Sequence, residues 1–151
     1  PSGGRSGDGL HPAGCLSDWI RLQQALPAGS TDLGPLQLAW LGDAVWELHQ
    51  RLRHCRQAGR SKDLHQAVVA EVRADAQAAA LKRLEPWLTE EEKGFVRRGR
   101  NRAGRGPRGA DPAAYGKATG FETMVGWLFL QNPTRLAQLL DRLEETESAL
   151  S

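Results

Sequence analysis

Cysteine is scarce in this sequence: of its 151 residues, only Cys15 and Cys55 are cysteines. They lie forty residues apart, and neither belongs to a C-x-x-C pair or has a histidine at zinc-finger spacing. This scarcity excludes a disulfide-stapled secreted scaffold and a cysteine-rich zinc site. It favours two free thiols in a reducing compartment, so the sequence predicts a cytoplasmic protein.

Long hydrophobic runs are also missing. No apolar stretch approaches the roughly 20 residues that a membrane-spanning helix needs, so we expect no membrane association. Residues 1–16 are polar, rich in glycine and serine, and without a hydrophobic signal-peptide core. We expect them to form a disordered N-terminal tail, followed by one folded domain at residues 17–147.

The alternating pattern of a half-buried β-strand does not occur in the sequence. Apolar residues recur instead at helical spacing, with capping residues and prolines where helices should begin. The sequence therefore predicts an all-α domain of about six to seven helices. The predicted helices cover residues 17–26, 36–54, 62–84 with a break near Ala74, 90–99, 112–130 and 133–147.

Positive charge is concentrated in one segment, although the formal net charge is only +2. Residues 93–117 contain eight basic residues and one acid, whereas the rest of the chain carries 12 basic and 17 acidic residues. Within this segment, residues 99–110 hold four glycines, one proline and four arginines and are expected to form a flexible basic loop. Such a segment suits a polyanionic partner, but its charge is equally typical of a solvated loop.

The predicted helix at 36–54 has two distinct faces. Its core face is predicted to be the stripe Leu38, Leu41, Val45, Leu48 and Leu52. Trp40, Asp43 and Glu47 fall on the roughly opposite side, where a tryptophan beside two acids favours a second contact surface over plain solvent. An acidic pair by itself is more often a solvated face, so both interpretations stay open. Gly42 costs about 1 kcal/mol in a helix relative to alanine, which indicates close packing at that point.

Glu122, in the predicted helix at 112–130, shares its face with small and aromatic residues. A carboxylate in such surroundings needs a cation or hydrogen-bond donors, because burying an unpaired charge costs much free energy. A hard metal ion bound by oxygen ligands would satisfy it, and so would an ion pair with an arginine or lysine. The spacing of residues leaves both interpretations open.

Two separated motifs resemble the ribonuclease III family. Residues 38–48 read LAWLGDAVWEL, similar to the family's signature helix, and residues 119–130 read TGFETMVGWLFL, similar to its second acidic helix. Shorter segments at 64–66, 76–79 and 97–101 resemble the small form called Mini-ribonuclease III. The likeness extends from about Ser17 to Leu143, which leaves no segment for the double-stranded-RNA-binding domain of larger members.

The resemblance implies an all-helical endonuclease domain that works as a homodimer, with Trp40 in the dimer interface. It assigns Asp43 and Glu122 as catalytic residues and ligands of Mg²⁺, for which Mn²⁺ could substitute, and makes Glu47 an auxiliary candidate. Larger members carry two further acids, at the positions of Ala39 and Thr119 here. The site is therefore expected to complete its metal coordination with water and RNA phosphate oxygens.

The implied reaction is hydrolysis of double-stranded RNA to 5′-phosphate and 3′-hydroxyl ends. The implied substrate is the stem of the 23S (large-subunit) ribosomal RNA precursor, with a ribosomal protein as a candidate partner that presents the RNA. RNA duplexes are contacted mainly through phosphates and 2′-hydroxyls. The candidate RNA-binding residues are Arg97, Arg98, Arg100, Arg102, Arg105, Arg108 and Lys117. The alternatives are an inactive domain that binds structured RNA and a helical scaffold with no RNA role.

Overall fold

A computed structural model describes residues 32–56 and 74–150, and within these ranges it contains five α-helices and no β-strand. The helices are α1 (Pro35–Cys55), α2 (Ala74–Leu84), α3 (Glu90–Arg102), α4 (Pro112–Gln131) and α5 (Pro133–Leu150), with a 3-10 turn at Glu85–Trp87. The all-α prediction is confirmed. The predicted N-terminal tail, the helix at 17–26 and the segment 62–73 lie outside the described residues. No helix in the described ranges is both long and apolar enough to cross a membrane.

Two helices begin at the caps that the sequence displays. Thr89 Oγ1 accepts a hydrogen bond from Glu92 N at 3.1 Å, and Glu92 Oε1 accepts one from Thr89 N at 2.9 Å, so the predicted capping box forms at the start of α3. The Asp111 side chain accepts a hydrogen bond from Ala113 N at 3.2 Å at the start of α4. These local interactions set where α3 and α4 begin.

Two predicted helix ends were too early. Helix α3 continues to Arg102 rather than ending at about Gly99, and α5 continues to Leu150 rather than about Glu147. The predicted loop at 99–110 therefore begins only at Ala103. Gly99 lies inside α3 because α4 packs so closely there that no side chain would fit. Glycine permits close approach as well as helix termination, and the sequence pattern does not distinguish these uses.

Helix α4 lies at the centre of the described fold and packs against α1, α2, α3 and α5. Four of its residues, Phe121, Met124, Val125 and Leu128, are at most 1% exposed. Trp46 of α1 meets Phe121 edge-on, with ring centroids 5.0 Å apart. Each such side chain stabilises the fold by roughly 1.5–3 kcal/mol through burial. A polar side chain on α4 is therefore attached to a backbone that this packing holds in place.

The predicted core face of α1 is partly wrong. Leu52, the last residue of the predicted stripe, is 52% exposed. The buried residues of α1 are Leu38, Ala39, Gly42, Trp46, Gln50 and His54. The buried face is rotated because α4 packs closely against Gly42, which a hydrophobic periodicity does not recognise as a contact point.

A buried ion pair fixes α3 to α5. Arg135 Nε and Nη2 each donate to the Glu92 carboxylate at 2.9 Å, and Nη2 also donates to Trp87 O at 2.6 Å. Burial would raise the pKa of Glu92, but the hydrogen bonds from Arg135 and Thr89 hold it below its usual value. This pair secures the helix that carries the first part of the basic segment.

Candidate active site

Helices α1 and α4 cross with their backbones in contact. A Cβ atom on Gly42 would lie 1.8 Å from the carbonyl oxygen of Glu122, and one on Gly126 would lie 2.0 Å from the carbonyl oxygen of Leu38. Any side chain at either glycine would collide with main chain, which cannot move without separating the helices. The close packing predicted for Gly42 is confirmed, and it brings the next residue, Asp43, beside Glu122.

Asp43 and Glu122 influence one another electrostatically at this crossing. Burial, and after it the charge of Asp43, raises the pKa of Glu122 to about 8. Burial and the charge of Glu47 also raise the pKa of Asp43. In the described part of the chain, neither carboxylate forms an ion pair with lysine or arginine. These residues therefore offer no support for the ion-pair interpretation of Glu122, and within the described ranges the two carboxylates form an acidic pair with no compensating cation.

The amide of Gln77, on α2, borders the acidic pair. Gln77 is 1% exposed, and its hydrogen-bonding interaction with Glu122 lowers the pKa of that carboxyl. Among the described residues, however, its Nε2 has no hydrogen-bond partner of ordinary geometry. The amide thus approaches Glu122 without forming a well-made hydrogen bond. The sequence pattern did not identify Gln77 as a site residue. The feature that could have done so is weak, because it is a single amide side chain among the alanines of α2.

Glu47 lies one helical turn after Asp43 but has a different environment. Its Oε1 accepts hydrogen bonds from Arg51 Nη2 at 2.6 Å and Nε at 3.2 Å. The Glu47 side chain is 39% exposed. Glu47 is close enough to raise the pKa of Asp43, but a guanidinium already neutralises it. It is therefore a neighbour of the acidic pair rather than a third uncompensated carboxylate.

The two positions where larger family members are expected to carry acids are buried here. Ala39 is 5% exposed and Thr119 is 8% exposed. Thr119 Oγ1 donates to Tyr115 O at 3.0 Å, one turn earlier in α4. Across residues 32–56 and 74–150, no three His, Cys, Asp or Glu side chains are grouped so that they could hold a metal ion. In this part of the chain the acidic site consists of Asp43 and Glu122.

Thr123 connects α4 to both α1 and α3, a junction that sequence reasoning missed. Its Oγ1 lies 2.7 Å from Thr119 O and 3.1 Å from Pro35 O at the start of α1. A Cβ atom on Gly99 of α3 would lie 2.1 Å from the same Oγ1, and one on Gly120 would lie 2.5 Å from a main-chain oxygen of α3. Glycines on both helices thus let α3 pack against α4 beside Glu122.

The candidate RNA-binding residues form an exposed basic segment. Arg97, Arg98, Arg100, Arg102, Arg105, Arg108 and Lys117 are all exposed, on α3, the following loop and the first turns of α4. Within the described ranges none of them forms an ion pair. The Arg98 guanidinium lies over the Phe95 ring, 4.7 Å from its centroid. These cations remain available to an anionic partner.

The loop after α3 folds back against α4. Gly104, Gly106 and Gly109 have φ values of 66°, 76° and 86°, a backbone region that side-chain-bearing residues rarely adopt. A Cβ atom on Gly106 would lie 2.5 Å from the Tyr115 ring. Tyr115 and Glu122 are two helical turns apart on one face of α4. The basic loop is therefore packed on the side of α4 that also bears Glu122.

The outward face of α1 carries large apolar side chains. Trp40 is 83% exposed and Leu36 is 52% exposed, and Leu33, just before the helix, is 36% exposed. Of the second face predicted for this helix, the part around Trp40 therefore points away from the described core, whereas Asp43 lies beside Glu122. Contiguous exposed apolar residues are typical of surfaces that bind another molecule.

Comparison with known proteins identifies the family to which the chain belongs. The family described as Ribonuclease III domain matches residues 36–133. A protein from Synechococcus sp. named Mini-ribonuclease 3 is 50% identical over 132 residues, covering 87% of this chain and 96% of that protein. One of the same name from Gloeobacter violaceus is 50% identical over 108 residues, covering 72% and 80% respectively.

A solved structure supports the fold. The crystal structure of a protein from Fusobacterium nucleatum resembles this one with a TM-score of 0.70 and 26% sequence identity, over 83% of this chain and 100% of that chain. The two helical motifs, the all-α fold and these relatives agree. This chain belongs to the ribonuclease III family and is an endoribonuclease.

Proposed function

We propose that this endoribonuclease cleaves double-stranded RNA, the substrate of its family, with a divalent metal ion held by Asp43 and Glu122. The observation that carries the proposal is the acidic pair itself: two carboxylates meet at the crossing of α1 and α4 with no compensating cation among the described residues. Holding like charges together in a partly buried site is unfavourable. A bound cation would favour the ionised form of both groups.

The donor set fits Mg²⁺, with Mn²⁺ as a substitute. Mg²⁺ takes oxygen ligands, keeps several waters and is commonly held by one or two carboxylates together with substrate phosphates. Asp43 and Glu122 supply two such carboxylates. When bound, the ion lowers the pKa of water and offsets negative charge at the scissile phosphate. The negative charge of Glu47 raises the pKa of Asp43. Because Glu47 is paired with Arg51, an electrostatic role is favoured for it over proton transfer.

The exposed basic segment would bind the RNA backbone. Its arginines lack ion pairs within the described chain, so they can neutralise phosphates without first breaking ion pairs there. The packing of Gly106 against Tyr115 links the loop arginines to the face of α4 that carries Glu122. This connection supports a single surface in which the basic loop positions the duplex and the acidic pair cuts it.

The active form in this proposal is a homodimer joined through the face around Trp40. Its support is the exposure of Trp40 and Leu36 on the side of α1 that faces away from the core. A two-fold axis would relate two acidic pairs, one for each strand of the duplex. Each strand would then be cut to leave a 5′-phosphate and a 3′-hydroxyl.

We further propose the base-paired stem of the 23S ribosomal RNA precursor as the natural substrate, processed in the cytoplasm with a ribosomal protein that presents it. This part of the proposal rests on the family resemblance, because the described residues carry no feature specific to one RNA sequence. Cleavage of a precursor transcript at its stem, compared with an unrelated duplex of equal length, would test it.

The decisive experiment compares cleavage of a long RNA duplex in Mg²⁺ by wild type, Asp43→Asn, Glu122→Gln and the control Glu145→Gln. Glu145 is an exposed acid on α5, paired with Arg142 at 3.4 Å. We expect the first two changes to reduce cleavage by roughly 100-fold or more while duplex binding persists, and the control to keep wild-type activity. A folded wild type that binds duplex RNA without cutting would instead indicate an inactive RNA-binding domain. Neither binding nor cutting would indicate a scaffold.

A further inference from the structure

Gln77 places a buried amide nitrogen at the Glu122 carboxyl group, and no described residue pairs with that nitrogen in good geometry. The side chain is 1% exposed, and its Nε2 lacks a well-formed hydrogen bond in the described part of the chain. Leaving a buried donor unpaired is unfavourable, and the great majority of buried polar atoms in folded proteins are paired. Since Gln77 contributes poorly to stability in this state, its place beside the acidic pair calls for another explanation.

The amide has little freedom to move away. Ala80 and Leu81, in the next turn of α2, are 2% and 3% exposed and belong to the core around α4. The backbone of α2 is therefore fixed relative to α4, so the amide remains at the Glu122 side chain. A neutral donor suits this place, because it can orient a carboxylate without competing with a metal ion as a lysine or arginine would.

We propose that Gln77 is a positioning residue: its Nε2 donates a hydrogen bond to one oxygen of the Glu122 carboxylate and directs the other oxygen toward the metal ion. This inference rests on the proposed function, since it requires a cation at Asp43 and Glu122. Hydrogen bonds in active sites are often long or poorly aligned before loading and tighten in the complex. In the same way, we expect the hydrogen bond of Gln77 to become well formed when a cation is held at Asp43 and Glu122.

The test compares Gln77→Met with Gln50→Met in the full-length chain. Methionine preserves the approximate volume but removes the amide. Gln50 is also 1% exposed, but it lies on α1 and accepts a hydrogen bond from Arg53 Nη1 at 3.4 Å, so it is a matched control. The first measurement is Mn²⁺ binding to the RNA-free protein by electron paramagnetic resonance. The second is the Mg²⁺ concentration that gives half-maximal cleavage of duplex RNA.

We expect Gln77→Met to weaken Mn²⁺ binding and raise the half-saturating Mg²⁺ concentration by about 10- to 100-fold, as for other residues that orient metal ligands. Cleavage at saturating Mg²⁺ and duplex binding without metal should stay near wild type, and Gln50→Met should leave both metal readouts unchanged. Wild-type Mn²⁺ affinity in Gln77→Met, or an equal loss in Gln50→Met, would overturn the inference.

A second variant covers the case in which Gln77→Met does not fold. Gln77→Asn keeps the buried amide but withdraws it by one methylene, so the same direction of loss in Mn²⁺ affinity is expected, and unchanged affinity would again overturn the role. A wild type that neither binds Mn²⁺ nor cuts RNA contradicts the proposed function itself. Metal-dependent cutting by wild type together with unaltered affinity in the Gln77 variants contradicts only the role of Gln77.

Discussion

Gly42 and Glu122 are in direct backbone contact, so close that a Cβ atom on Gly42 would lie 1.8 Å from the Glu122 carbonyl oxygen. The reciprocal contact, of Gly126 with Leu38, secures the same crossing of α1 and α4. Gly42 directly precedes Asp43, and Gly126 lies one helical turn after Glu122. Because these two positions have no side chain, α1 and α4 approach closely and bring Asp43 beside Glu122. The formation of the acidic pair therefore requires these two glycines as well as the two acids.

Gly42→Ala should damage both the fold and the site. The added methyl group would force α1 and α4 apart, and overpacking of this kind usually lowers the free energy of unfolding by about 1–3 kcal/mol or more. Gly94→Ala is the matched control: nothing lies within 4 Å of its Cβ position in α3, so about 0.5–1 kcal/mol of added stability is expected. Urea denaturation measures the free energy of unfolding of both variants. A Gly42→Ala variant as stable and active as wild type would contradict the close crossing.

Without divalent metal, the protein should lose stability as the pH rises toward alkaline values. Glu122 has a pKa of about 8 in the folded protein against an ordinary value of 4.5. Because the folded pKa is the higher one, this stability is fully present below about pH 4.5 and is lost as the pH rises through about 8. Glu122→Gln should remove this pH dependence and raise the Tm in mildly alkaline buffer with EDTA.

Thermal unfolding from about pH 5 to about pH 9, with EDTA and with Mg²⁺, provides the measurement. Asp43→Asn should give a smaller rise in Tm than Glu122→Gln, because the charge of Asp43 is the second cause of the raised pKa, after burial. Mg²⁺ should stabilise wild type and have little effect on Glu122→Gln. Equal pH dependence in wild type and Glu122→Gln would show that Glu122 is not the responsible group.

Neutralising Arg102 at the end of α3 and the loop arginines Arg105 and Arg108 should weaken RNA binding without unfolding the protein. In the triple variant Arg102→Gln, Arg105→Gln and Arg108→Gln, the slope of log affinity against log salt should decrease by up to about 3, because each phosphate contact contributes about one unit. A double variant of exposed basic residues outside the segment, Lys82→Gln and Arg142→Gln, serves as control. Equal losses per charge in both variants would argue against a dedicated basic surface.

Trp40→Ser should dissociate the proposed homodimer while the monomer remains folded. Trp40 is 83% exposed, so its ring contributes little to the packing of the described chain. A buried tryptophan at the centre of an interface is commonly worth 2 kcal/mol or more, which corresponds to a roughly 30-fold weaker dimer. Leu150→Ser, at a position that is 79% exposed, controls for the loss of an apolar surface residue. Analytical ultracentrifugation distinguishes the states, and a stable Trp40→Ser dimer would place the interface elsewhere.

Much of this architecture could be read from short stretches of sequence. The all-α class, the capping box at Thr89 and the proline-led start of α4 depend on interactions within one or two helical turns, and all are confirmed. The motifs around Asp43 and Glu122 identified the family for the same reason: each is a contiguous string. Whether these acids are catalytic is a proposal that the cleavage experiment tests.

Other features depend on which residues meet across the fold. The core face of α1 is rotated from its predicted stripe, leaving Leu52 exposed, because α4 packs on Gly42. Helix α3 passes through Gly99 because that glycine faces α4. Gln77 lies beside Glu122 although forty-five residues separate them in the chain. Close approach and burial arise from partners distant in sequence, so the raised pKa of Glu122 and the amide next to it became apparent only in the packed molecule.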